Sequence, residues 1–95
     1  MDTLRNQIDQ RDRELLSVLA KRSKLVSKLA KIKKENHLPI RQNNREKEML
    51  AKRILWAKKL NISQTCIRSI FHAIFRDSRN CQKKSSMPID NSSKF

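Results

Sequence analysis

Between Leu4 and Ile32 apolar residues recur about every 3.5 positions, and no helix-breaking residue interrupts them. Leu4, Ile8, Leu15, Val18, Leu19, Leu25, Val26, Leu29 and Ile32 lie on one stripe of a helix running from about Asp2 to about Asn36. At 1.5 Å rise per residue this helix is roughly 50 Å long. A chain of 95 residues cannot supply enough further helix to cover all of it. The free end needs a second copy to pack against, so the expected assembly is an intertwined homodimer.

The rest of the chain is helical as well. Glycine is absent and proline occurs twice, at Pro39 and Pro88. That removes phosphate-cradling Gly-rich loops, nucleophile elbows and most tight hairpin turns. Pro39 disfavours helix at Leu38, so the chain turns near 37–42. A second helix is predicted from Asn43 or Asn44, both good N-caps, to about Leu60, with Met49, Leu50, Ile54 and Ala57 inward. A third is predicted from an N-cap at Ser63 to about Gln82, burying Ile67, Ile70, Phe71, Ile74 and Phe75, with Ile62 and Ile67 as a hydrophobic staple. The fold class is therefore all-α, with three helices in a domain spanning residues 1–82. Residues 83–95, rich in Ser, Lys and Asn, are expected to form a disordered polar tail.

Lys and Arg total 23 against 9 Asp and Glu, a formal charge of +14. The excess points to an anionic partner: a nucleic acid, a membrane surface or a charged metabolite. Cys66 and Cys81 have no CxxC spacing and form no zinc signature with His37 and His72, so no metal or other cofactor is expected. Cys66 falls in an apolar stripe and reads as a core residue. No apolar run reaches the roughly 18 residues of a membrane helix, and the N-terminus does not read as a signal peptide, so a cytoplasmic protein is expected.

Most of the lysines read as a solvated helix face, but Arg22 and Lys33 do not. Arg22 follows Val18 by four, and Lys33 follows Leu29 by four. The eleven residues between the two cations bring them within roughly 20° of each other around the helix. A buried cation needs an anionic partner, unless its stem snorkels along the core and the head reaches water. Ser78 and Gln82 extend the third helix's stripe, so polar groups continue two apolar faces, as in a pocket with a few convergent polar groups. Arg45 and Glu46 stand in the first turn of the second helix. Glu46 has two possible roles, as the N3 member of a capping box with Asn43 and as an inward pocket group four residues before Leu50. Arg5 lies about 100° around the helix from Arg22 and roughly 25 Å along it, so it reaches such a pocket only across a dimer.

These residues resemble the AroQ-type chorismate mutases, the small all-helical class of that enzyme. The resemblance is carried by Leu4-Arg5-Asn6-Gln7-Ile8-Asp9, Leu19-Ala20-Lys21-Arg22, Lys33, Pro39-Ile40-Arg41, Asn44-Arg45-Glu46, Asp77-Ser78 and Gln82. It covers about Leu4 to Gln82 without an insertion. It implies a homodimer with two equivalent sites that rearrange chorismate to prephenate, a step of aromatic amino acid biosynthesis. Arg22, and Arg5 from the partner chain, match the residues that bind the two carboxylates, assisted by Ser78. Lys33 and Gln82 match the catalytic groups on the ether oxygen. Glu46 matches the residue holding the ring hydroxyl, and Arg45 an arginine that organises the pocket. Gln42 stands where an Asp is frequent, at a position that acts through its backbone N–H. Arg79 and Phe75 replace smaller aliphatic residues near the ring, which bears on pocket size and on the identity of the substrate.

The same fold also serves isochorismate-pyruvate lyases and aminochorismate mutases. The lyases lack equivalents of both Glu46 and Ser78, which favours a mutase here, while an amine in place of the ring hydroxyl still suits Glu46. A rival from another class is a basic helical nucleic-acid-binding protein. Charge supports it, but no helix-turn-helix pattern does, and only three Phe and one Trp are present for base stacking.

Overall fold

The computed structural model describes residues 1–39 and 43–86. The position of Gln42 and the last part of the expected tail, 87–95, lie outside the described residues. Three helices follow in chain order: α1 (Asp2–Glu35), α2 (Asn43–Lys59) and α3 (Gln64–Ser86). Among the described residues α3 packs against both α1 and α2, which do not pack on each other. The third helix is thus the centre of the chain.

With no glycine available, the chain ends two helices by placing other residues in the left-handed region. His37 (φ 55°) follows α1 and Asn61 (φ 59°) follows α2. Each sits in the same double hydrogen-bond closure. After α1, the Leu38 N–H donates to the Lys33 carbonyl at 2.8 Å and the His37 N–H to that of Lys34 at 3.3 Å. After α2, Ile62 donates to Ala57 at 3.0 Å and Asn61 to Lys58 at 3.2 Å. This pattern normally takes Gly at the left-handed residue; Asn and His are among the non-Gly residues that tolerate it best. At the start of α3 the predicted cap is present, with the Cys66 N–H donating to Ser63 Oγ at 3.1 Å.

Two expectations are corrected. The third helix does not stop near Gln82 but continues to Ser86, so residues 83–86 belong to it and not to a tail. No Gly or Pro stands before Pro88 to end it, and Lys and Ser are tolerated in a helix. Cys66 is exposed, because the packed side of α3 runs through buried Ile67, half-buried Phe71 and buried Phe75 and leaves Cys66 and Ile70 on the flank. The stripe of α1 is largely uncovered in the single chain, as the length of this helix implies. Only Val26 and Ala30 are buried on this helix, while Leu4 and Leu25 are 61% and 63% exposed. The line of α1 that meets α3 runs Leu19, Arg22, Val26, Ala30 and Lys33, with a cation on either side of Val26 and Ala30.

The molecule measures 50 × 32 × 17 Å with a radius of gyration of 16.4 Å. A compact chain of this length has a radius near 12 Å. The difference comes from α1, whose first half projects beyond the other helices with Leu4, Ile8 and Leu15 exposed. None of the helices is long and apolar enough to cross a membrane, among the described residues.

Candidate active site

Where α1, α2 and α3 come together they leave a cavity of about 320 Å³, at the small end of the range for ligand pockets. Its α1 wall is Arg22, Val26, Leu29 and Lys33, and Met49 and Phe75 complete the apolar part. Phe75 is 4% exposed and fixes the floor. Arg45 and Glu46 enter from the first turn of α2, and Ser78, Arg79 and Gln82 from α3.

Each cation of α1 is tied to a polar group of α3. Arg22 Nη1 donates to Ser78 Oγ at 2.8 Å, and Lys33 Nζ donates to Gln82 Oε1 at 3.1 Å. These pairs settle where the two stems go. They do not merely snorkel; they are held by residues 56 and 49 positions away. Arg22 has five N–H donors and gives one to Ser78, which leaves others for an anion. Gln82 is 6% exposed and accepts through Oε1, so its amide nitrogen keeps two donors.

Glu46 lines the cavity; its capping-box role rests on the side chain of Asn43, which lies outside what the structure describes. Both its carboxylate oxygens accept from Arg79 Nη1, at 2.6 and 2.7 Å. The pair is half-buried on both sides and joins α2 to α3 across the cavity. Sequence reasoning noted Arg79 only as a bulky departure. Its position four residues after Phe75 and three before Gln82 was the signal that it points inward.

A second cation escaped the sequence reading altogether. Arg53 follows Met49 by four on the inner side of α2 and donates through Nη1 to the Met49 carbonyl at 3.0 Å. Its guanidinium lies 5.1 Å from the Trp56 ring and 5.5 Å from the Phe71 ring, within cation–π range. Burial first, then the charges of Arg22 and Arg45, lower its pKa from the ordinary arginine value. Burial likewise lowers that of Arg22. Both effects express a cost of holding positive charge here that an incoming anion relieves.

Six of the eight residues singled out from sequence are therefore brought together: Arg22, Lys33, Arg45, Glu46, Ser78 and Gln82. Gln42 lies outside the described residues. Arg5 is exposed near the far end of α1 and does not line this cavity within one chain. Four cationic side chains and one carboxylate face the space. No group of three or more potential metal ligands occurs among the described residues.

Comparison with known proteins gives a consistent picture. A model of the family described as chorismate mutase type II matches residues 4–83. The chain is 40% identical over 80 residues to a bifunctional chorismate mutase/prephenate dehydratase of Buchnera aphidicola subsp. Acyrthosiphon pisum, covering 84% of this chain and 21% of that protein. It is 43% identical over 75 residues to a T-protein of Haemophilus influenzae, covering 79% and 20%. Against the bifunctional chorismate mutase/prephenate dehydratase of Escherichia coli K12 the identity is 33% over 75 residues, covering 79% and 19%. The chain thus spans about a fifth of the length of the curated relatives it matches.

Proposed function

The chain belongs to the chorismate mutase type II family, and on that premise we propose that it rearranges chorismate to prephenate in a homodimer with two equivalent pockets. The observation that carries this reading is the pair of α1 cations, each held by an α3 partner, facing one cavity: Arg22 with Ser78 and Lys33 with Gln82. The reaction is an intramolecular pericyclic shift. It needs no nucleophile, proton transfer or redox group, only a flexible dianion held in a reactive chair and charge stabilised on one oxygen.

The residues divide that work by their chemistry. Arg22 clamps one substrate carboxylate through the donors not used by Ser78. Arg5 of the second chain binds the other, and the exposed end of α1 supports this, since Leu4 and Ile8 beside it have no cover in the single chain. Holding both carboxylates converts a floppy molecule into a near-attack conformer. As the ether C–O bond breaks, negative charge grows on that oxygen between the Lys33 ammonium and the Gln82 amide. A fixed donor of this kind contributes roughly 3–4 kcal/mol to the transition state. Glu46 accepts from the ring hydroxyl, Arg45 holds the α2 side of the pocket, and Gln42 contributes its backbone N–H.

A turnover assay with chorismate and isochorismate side by side tests the proposal. Chorismate absorbance in the ultraviolet should fall without added cofactor, and prephenate should appear. Release of pyruvate from isochorismate at a higher rate would reassign the chain to a lyase. Salt-dependent binding to DNA with no turnover would replace the enzyme reading with the nucleic-acid one.

A further inference from the structure

We propose that Arg79 sets which ring substituent the pocket takes: by pairing with Glu46 it admits a hydroxyl and rejects an ammonium. This rests on the reading of the cavity as a chorismate site and concerns the one position where that reading left two substrates open. A carboxylate that faces a cavity alone accepts from a hydroxyl and attracts a cation more strongly still. Glu46 is not alone. Arg79 Nη1 reaches across from α3 and donates to both its oxygens, so its charge is already balanced.

Lone pairs remain on Glu46 after that pairing, because two carboxylate oxygens offer about four acceptor sites and Arg79 takes two. A neutral hydroxyl can donate to one of them at no electrostatic cost. An ammonium placed to make the same bond comes within about 5 Å of the Arg79 guanidinium, and like charges that close repel. Arg45, next to Glu46 and lining the same space, adds to the repulsion. The pair is only about a quarter exposed or less, so solvent screens the repulsion in part, and at about 5 Å a tenfold or greater discrimination remains.

The test compares kcat/KM on chorismate and on 4-amino-4-deoxychorismate for the unaltered chain, Arg79→Met and Arg79→Lys. The unaltered chain should prefer chorismate at least tenfold. Arg79→Met, which keeps the apolar stem, should narrow that preference by about tenfold, and Arg79→Lys should retain it. Should Arg79→Met lose its helical circular dichroism, Arg79→Gln makes the same comparison. A preference unchanged in the neutral variant overturns the proposal, because Arg79 would then only pack or bind a carboxylate common to both substrates. Turnover of chorismate with that result leaves the mutase reading standing. No turnover of either compound by the unaltered chain overturns both.

Discussion

Replacing Lys33 with methionine separates what the ammonium does for catalysis from what it does for the fold. Methionine keeps an unbranched stem of similar length, so the wall beside Val26 and Leu29 stays filled and only the charged head is lost. Catalysis loses a fixed donor to the developing oxyanion, an effect of about 3 kcal/mol, or roughly 10²- to 10³-fold in kcat. Stability falls for a different reason. Gln82 is 6% exposed, and its Oε1 loses the donor 3.1 Å away, which costs about 1–2 kcal/mol for a buried acceptor left without that bond. Adding Gln82→Leu to Lys33→Met removes the stranded amide and recovers most of the stability while activity stays low. The two quantities are read by ultraviolet loss of chorismate and by urea unfolding followed by circular dichroism, at one fixed protein concentration. Activity within fivefold of the unaltered chain would remove Lys33 from the mechanism. A double variant whose two losses simply add would show that the buried pair is not coupled.

Ser78→Ala frees Arg22 of the hydroxyl that accepts from it at 2.8 Å; kcat/KM should fall roughly 5- to 30-fold, chiefly through KM, as expected for one partly screened bond to a charged group. His37→Gly and Asn61→Gly should each raise stability by about 0.5–1 kcal/mol, since the left-handed conformation costs an L-residue about 1–2 kcal/mol and glycine returns part of that as chain entropy. Unfolding midpoints that stay level or drop would show that the side chains of His37 and Asn61 contribute more than their backbone costs. Refolding Arg5→Ala together with Lys33→Met should restore about a quarter of full activity, because half the random dimers then carry one intact site. Two inactive variants that stay inactive when mixed would place Arg5 outside the partner's pocket.

Much of this was readable from spacing. The α1 stripe, the Pro39 turn and the Ser63 cap predict helices that match α1 and α2 to within a residue or so at each end. The eleven-residue interval between Arg22 and Lys33 put both on one side of α1, as the structure has them. What spacing could not supply was which part of each stripe meets a neighbour. Ile67 and Phe75 are buried as spacing predicts, but Cys66, read as core, is exposed, and Ala30, outside the apolar stripe, is buried on α1, because a single chain's periodicity does not record the rotation of one helix against another. The Arg79–Glu46 pair was hidden for the same reason: its members are 33 residues apart and become neighbours only once α2 and α3 are packed. Arg53 was overlooked because an arginine beside Trp56 reads as surface until the ring of Phe71 arrives from another helix.

That α3 alone touches both other helices has a consequence for how the chain tolerates insertions and deletions. Ser78, Arg79 and Gln82 occupy little more than one turn of it, and they hold Arg22, Glu46 and Lys33 respectively. One residue inserted between Phe75 and Ser78 turns all three by about 100° about the helix axis. Every tie across the cavity is then lost in a single step, while the helix itself remains intact. The same insertion in the turn between α1 and α2 leaves those three ties in register. Length variation among natural or engineered versions of this chain should therefore collect at the turns and be absent from the second half of α3.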